Sequence, residues 1–185
     1  LAVHGTAIDG LVRISAKTVT DHRGSVREFY RESSFLDAGL PSLGPWVQLN
    51  VTETRRGAIR GLHGEAMHKL VGVAAGAAYG AYLDARPDSP THGVVETIEL
   101  VPGAQILVPP GVCNGFQAVG EGMTPYVYCF DSEWMPGMAG VAYAPLDPAL
   151  AIDWPIGVDP DDPAQLSVKD RDAHAFGDPP RDDRP

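Results

Sequence analysis

The chain has 185 residues, 44% of them apolar, which suits one domain with a sizeable buried core. Its 24 acidic and 14 basic residues leave a formal charge of −10, which speaks against nucleic acid as a partner, because a phosphate backbone is held by a basic surface. No apolar run approaches the roughly 20 residues that span a bilayer, and the first residues lack the charged-then-apolar pattern of a signal peptide. Two cysteines, Cys113 and Cys129, are too few for a disulfide scaffold or a zinc site. A cytoplasmic protein with two buried thiols and no membrane partner is expected.

In chain order the strand-like runs are Leu11–Ala16, Val26–Tyr30, Trp46–Val51, Leu70–Ala74, Ala77–Leu83, Val94–Leu100, Gln105–Val108, Tyr126–Phe130 and Gly140–Tyr143. Glycine or proline punctuates almost every gap, a spacing that predicts an all-β sandwich or barrel. Ser33–Ala38 reads as a short helix capped by Ser33 or Ser34. Residues 1–176 are expected to form one domain. Residues 177–185 are polar and proline-rich and are expected to be disordered.

Gly103, Pro109, Gly111 and Asn114 have the spacing of the second motif of the cupin jelly roll, a double-stranded β-helix. Metal-binding cupins place histidine where this chain has Asn114, and carry His-x-His where it has His63-Gly64-Glu65. A neutral amide is a poor transition-metal ligand, so the expected fold is a cupin jelly roll with a few short helices, no metal and no cofactor.

A set of segments in fixed order is more specific. They are Asp21-His22-Arg23-Gly24 with Glu28, Gln48-Leu49-Asn50, Arg60-Gly61-Leu62-His63 and Lys69-Leu70-Val71. Then follow Leu83-Asp84-Ala85-Arg86 with Ser89-Pro90-Thr91, Pro109-Pro110-Gly111, Asp147-Pro148, Ile152-Asp153-Trp154-Pro155 and Leu166-Ser167-Val168-Lys169-Asp170. In this order they resemble the dTDP-4-dehydrorhamnose 3,5-epimerase family across residues 21–170. The resemblance implies epimerisation at C3, C5 or both of a nucleoside-diphospho-4-keto-6-deoxyhexose, dTDP-linked in the family. A 4-keto group acidifies the neighbouring C–H bonds. The reaction needs a base on one face, an acid on the other and a group that stabilises the enolate oxygen.

The family assigns these roles to His63 as base, Asp170 as its partner, Lys69 near the oxyanion and Tyr128 as proton donor. Tyr126, on the same strand, is the competing donor. Arg23 and Arg60 correspond to diphosphate ligands, whose planar fork suits phosphate oxygens. Glu28, Gln48, Asn50, Asn114 and Lys169 correspond to further substrate contacts, and Trp134 to a base-stacking aromatic. A homodimer is implied, with Arg23 completing the other subunit's site.

The chain departs from the family at Asn114, where a histidine is usual, and in a shorter stretch from His63 to Lys69. Both departures point to a different 4-keto sugar or to inversion at one carbon. A 3,4-ketoisomerase, a non-catalytic nucleotide-sugar-binding cupin and a metal-dependent cupin oxygenase stay open as alternatives.

Overall fold

The computed structural model describes residues 1–42, 44 and 46–178. Its strands are β1 (Ala2–Gly5), β2 (Val12–Ser15), β3 (Thr18–Asp21), β4 (Gly24–Arg27), β5 (Gln48–Arg55), β6 (Ile59–Glu65) and β7 (Lys69–Val73). They continue with β8 (Ala78–Asp84), β9 (Val95–Leu100), β10 (Ala104–Val108), β11 (Val112–Ala118), β12 (Met123–Phe130) and β13 (Gly140–Ala142). Two short helices, α1 (Glu32–Asp37) and α2 (Val168–Arg171), and one 3-10 turn (Pro148–Leu150) complete it. The predicted disordered tail lies almost wholly outside the described residues.

Six strands form one sheet in the order β1-β2-β10-β7-β12-β5, and five form the other in the order β13-β6-β11-β8-β9; β3 and β4 make a separate hairpin. Every pairing within the three sheets is antiparallel. The fold is the expected cupin-type jelly roll. The sheets face each other across Val71, Val73, Ile106, Val108, Tyr82, Val112, Phe116 and Tyr126, all buried. The outer face of the six-stranded sheet is covered by Phe35 of α1 and by Leu40, packed on Leu70, Leu107 and Cys129. The outer face of the five-stranded sheet is covered by the C-terminal segment through Leu150, Ile152, Trp154 and Phe176.

Four strands were not anticipated: β1, β3, β6 and β11. The last two are the ones that matter for the site, and both are interrupted by glycines that weaken strand propensity. Gly61 sits at φ +115°, and a Cβ there would lie 2.5 Å from the Cα of Gly115, so the two strands touch backbone to backbone at this point. Val26–Tyr30 extends too far, because β4 ends at Arg27. The helix predicted over Ser33–Ala38 starts one residue earlier. Its cap is Arg31, whose side chain makes no capping bond, so neither serine plays that part.

Candidate active site

The site begins with a defect in the β6–β11 ladder. Asn114 pairs with His63, yet two residues on, Phe116 pairs with Arg60 and not with Gly61. One extra residue on β6 is therefore accommodated as a bulge, which turns Arg60 to the same face as His63. That face is the interior, since Phe116 belongs to the core between the sheets. Asn114 in turn pairs with Tyr82 on β8. The five-stranded sheet thus presents Arg60, His63, Glu65, Asn114 and Tyr82 to the space between the sheets.

The opposite wall follows from the register of β12. Tyr126 pairs with Val73, Tyr128 with Val71 and Phe130 with Lys69. Val71 and Val73 are interior residues, so Lys69, Tyr126, Tyr128 and Phe130 face inward as well. On the other side of β12, Tyr128 pairs with Asn50 and Phe130 with Gln48. Gln48 and Asn50 consequently line the rim of the same wall, while Leu49 and Val51 between and beyond them point outward and are exposed.

His63 Nε2 lies 2.7 Å from Asp170 Oδ1. Asp170 is delivered by α2, whose first turn is capped by the Ser167 side chain accepting from the Asp170 N–H. Burial opposes the Asp170 charge, but the His63 hydrogen bond and charge, Ser167 and the Gly61 N–H together hold its carboxyl below the usual range. An ionised Asp170 accepts from the Nε2–H of His63, leaving Nδ1 as the basic nitrogen. The His63 side chain is 35% exposed while that of Asp170 is 8% exposed, so the ring faces an opening and its partner does not.

Lys69 is buried, and its Nζ donates to the His63 carbonyl oxygen at 3.1 Å and to Glu65 Oε2. Tyr128 is half-buried, and burial pushes its phenol above the usual range. Arg60 and the Thr52 hydroxyl pull it back, whereas Glu65 and Asp170 push it further. A phenol so placed keeps its proton at neutral pH. Tyr126 is fully buried and stacks on Phe116 with ring centroids 4.0 Å apart. The two tyrosines share one face of β12, and Tyr128 is the one that reaches the open end.

Arg60 Nε donates to Thr54 Oγ1 at 2.9 Å. A cleft of about 420 Å³, lined among others by Thr54, Arg60, Gln165, Ser167 and Asp170, opens beside the dyad. A groove of about 460 Å³ between His4, Arg13, Glu96 and Glu99 holds none of the candidate residues. Gln48 Nε2 donates to Asn50 Oδ1, and its Oε1 accepts from the Trp134 N–H at 2.7 Å, which places the exposed indole at the same rim. Asn114 is buried and its amide bonds nothing among the described residues.

Three candidates are not brought to this cluster. Arg23, at the tip of the β3–β4 hairpin, bonds Asp21 with its side chain 90% exposed. Glu28 pairs with Arg31. Lys169 is exposed on α2, beside Asp170 but without a bond to it. Glu65 is the residue that sequence reasoning passed over. Its signal was its place two residues after His63, which in a strand means the same face. His68, in the short turn to β7, pairs with Asp131 at 2.8 Å.

Two sheets with a His–Asp pair on one wall and a tyrosine and lysine on the other define a cupin-type isomerase that moves protons. The family model of the dTDP-4-dehydrorhamnose 3,5-epimerases matches residues 5–178. The dTDP-4-dehydrorhamnose 3,5-epimerase of Pseudomonas aeruginosa is 33% identical over 178 residues, covering 93% of this chain and 94% of that protein. The dTDP-4-dehydrorhamnose 3-epimerase of Streptomyces niveus is 32% identical over 175 residues, covering 90% and 79%. The 3,5-epimerase of Legionella pneumophila, solved in complex with dTDP-4-keto-L-rhamnose, superposes with a TM-score of 0.82 at 31% identity, covering 94% and 92%. This chain belongs to the dTDP-4-dehydrorhamnose 3,5-epimerase family and is an epimerase of deoxysugar biosynthesis.

Proposed function

We propose that the protein inverts C3, C5 or both of a dTDP-linked 4-keto-6-deoxyhexose through an enolate, with His63 as base and Tyr128 as acid. The observation that carries this reading is their placement on facing walls. His63 approaches from the five-stranded sheet, with Asp170 of α2 behind it, and Tyr128 from the six-stranded one, with packed sheets about 10 Å apart. A sugar ring held between them meets a base on one face and a neutral phenol on the other. Nδ1 of His63 takes the proton next to the ketone, the electron pair moves onto the C4 oxygen, and Lys69 stabilises the resulting oxyanion. Tyr128 then delivers its proton to the opposite face of the same carbon and is recharged by solvent.

Arg60, at the mouth, serves the diphosphate, and Trp134 with Gln48 and Asn50 serves the nucleoside. A homodimer accounts for the residues left outside the cluster. Leu49 and Val51 on β5 and Val19 and Val26 on the hairpin expose apolar surface, the kind that a partner covers. Arg23 then reaches the neighbouring subunit's diphosphate.

The test is incubation with dTDP-4-keto-6-deoxy-D-glucose in deuterated water, followed by mass spectrometry and product NMR. One deuterium is expected for inversion at one carbon and two for both. No uptake from any 4-keto donor refutes the reading, and migration of the ketone to C3 makes the protein a ketoisomerase.

A further inference from the structure

We propose that Glu65 is a positioning residue for the reaction: it aims the Lys69 ammonium at the substrate's ketone oxygen. This rests on the epimerase reading above. Glu65 lies two residues beyond His63 on β6 and faces the interior with it. Its side chain is 15% exposed and that of Lys69 is 3% exposed, and their charges meet between the two sheets. An ammonium has three N–H donors. One goes to the His63 carbonyl oxygen and one to Glu65 Oε2. With two donors anchored, tetrahedral geometry leaves the third in a single direction. A donor fixed before the reaction starts is what stabilises a developing oxyanion, because no reorganisation is needed when charge appears.

The alternative anchors are poor. A four-carbon side chain held by the His63 carbonyl alone can rotate about that bond, and a buried ammonium without a counter-charge is costly. Glu65 also ties Lys69 to the strand of the base. The group that stabilises the enolate and the group that forms it are thereby set relative to one another. The charge of Glu65 is felt at Tyr128 too, where it favours the protonated phenol. One carboxylate thus touches the oxyanion donor directly and supports the acid through the field. The second oxygen, Oε1, bonds nothing among the described residues and is free to accept from a sugar hydroxyl.

The experiment compares Glu65→Gln and Glu65→Ala with the wild-type protein in the deuterium-exchange assay, together with dTDP affinity by calorimetry. Glutamine retains an acceptor for the lysine N–H while removing the charge. The expected result is a fall in kcat of about 100-fold for Glu65→Ala, the scale of losing one oxyanion donor. KM and dTDP affinity should change less than threefold, with at least a tenfold recovery of kcat in Glu65→Gln. A structural role predicts a different pattern, a joint loss of folding, dTDP affinity and kcat without rescue, and that pattern overturns the proposal. So does a kcat for Glu65→Ala within threefold of wild type.

Should the wild-type protein take up no deuterium, the epimerase reading fails. The positioning claim is then decided by the crystal structure of Glu65→Ala. Departure of Lys69 Nζ from the His63 carbonyl oxygen sustains it, and an unmoved Nζ overturns it.

Discussion

Replacing Asp170 by asparagine leaves the shape of the site and removes one charge from it. In the protein the carboxylate sits 2.7 Å from His63 Nε2 with its side chain 8% exposed, so solvent does little to screen the pair. When His63 takes a proton, that contact becomes a bond between two charged groups. Hydrogen bonds to charged groups contribute about 1.5–3 kcal/mol, roughly twice a neutral one. At about 1.36 kcal/mol for each factor of ten in rate, losing it slows proton abstraction by roughly 10- to 150-fold. The amide can also turn its NH2 towards Nε2, which selects the tautomer with the proton on Nδ1 and disables the base further. The assay is single-turnover deuterium uptake from dTDP-4-keto-6-deoxy-D-glucose, with melting temperature and dTDP affinity as controls. A rate within threefold of wild type, in a folded variant that binds dTDP normally, refutes the dyad as the source of the base.

Tyr128→Phe should separate the half-reactions: His63 still exchanges the substrate proton, while inverted product, read by NMR, falls by about 100-fold or more. Arg60→Met should weaken dTDP binding by roughly 10- to 100-fold in calorimetry, the scale of one charge-assisted bond, with little change in the exchange rate of bound substrate. Asp84 accepts from Arg86, Ser89 and Thr91 and is fully buried. Asp84→Asn leaves Arg86, 26% exposed and still bonded to the Asp9 carbonyl, without its carboxylate, and should cost about 1.5–3 kcal/mol, or roughly 3–12 °C in melting temperature. Burial opposes the Asp84 charge, but Arg86, Ser89 and Thr91 outweigh it and hold its carboxyl well below the usual range; the partners of Asp170 lower its carboxyl too. A depressed carboxyl stabilises the fold above the ordinary carboxylate pKa and loses that contribution as pH falls through the lower folded value. Wild-type stability in urea should therefore drop on acidification below about pH 4, and the slope should be flatter in Asp84→Asn.

The proposed chemistry was legible in the sequence because it resides in residue identities. His63, Lys69, Tyr128 and Asp170 stand in motifs whose order along the chain carries the family; the structure bonds Asp170 and Lys69 to His63 and turns Tyr128 to the interior from the facing sheet. Glu65 was not legible, because the rule that residues two apart share a face applies only once 59–65 is known to be a strand. The all-β class followed from short strands parted by glycine and proline, and the jelly roll from the resemblance of Gly103, Pro109, Gly111 and Asn114 to a cupin motif. What the sequence did not yield was the strand that bears His63. The glycines that lower the strand propensity of β6 and β11 are the ones that let their backbones meet, since only a residue without a side chain fits between Gly61 and Gly115. Nor can any spacing rule foresee the bulge that brings Arg60 onto the face of His63, because it depends on how β6 is counted against β11. The proposed roles thus rest on which side chains the chain carries. Their meeting was decided by register between strands and by a helix that returns Asp170 to His63 from 107 residues away, contacts that exist only in the folded chain.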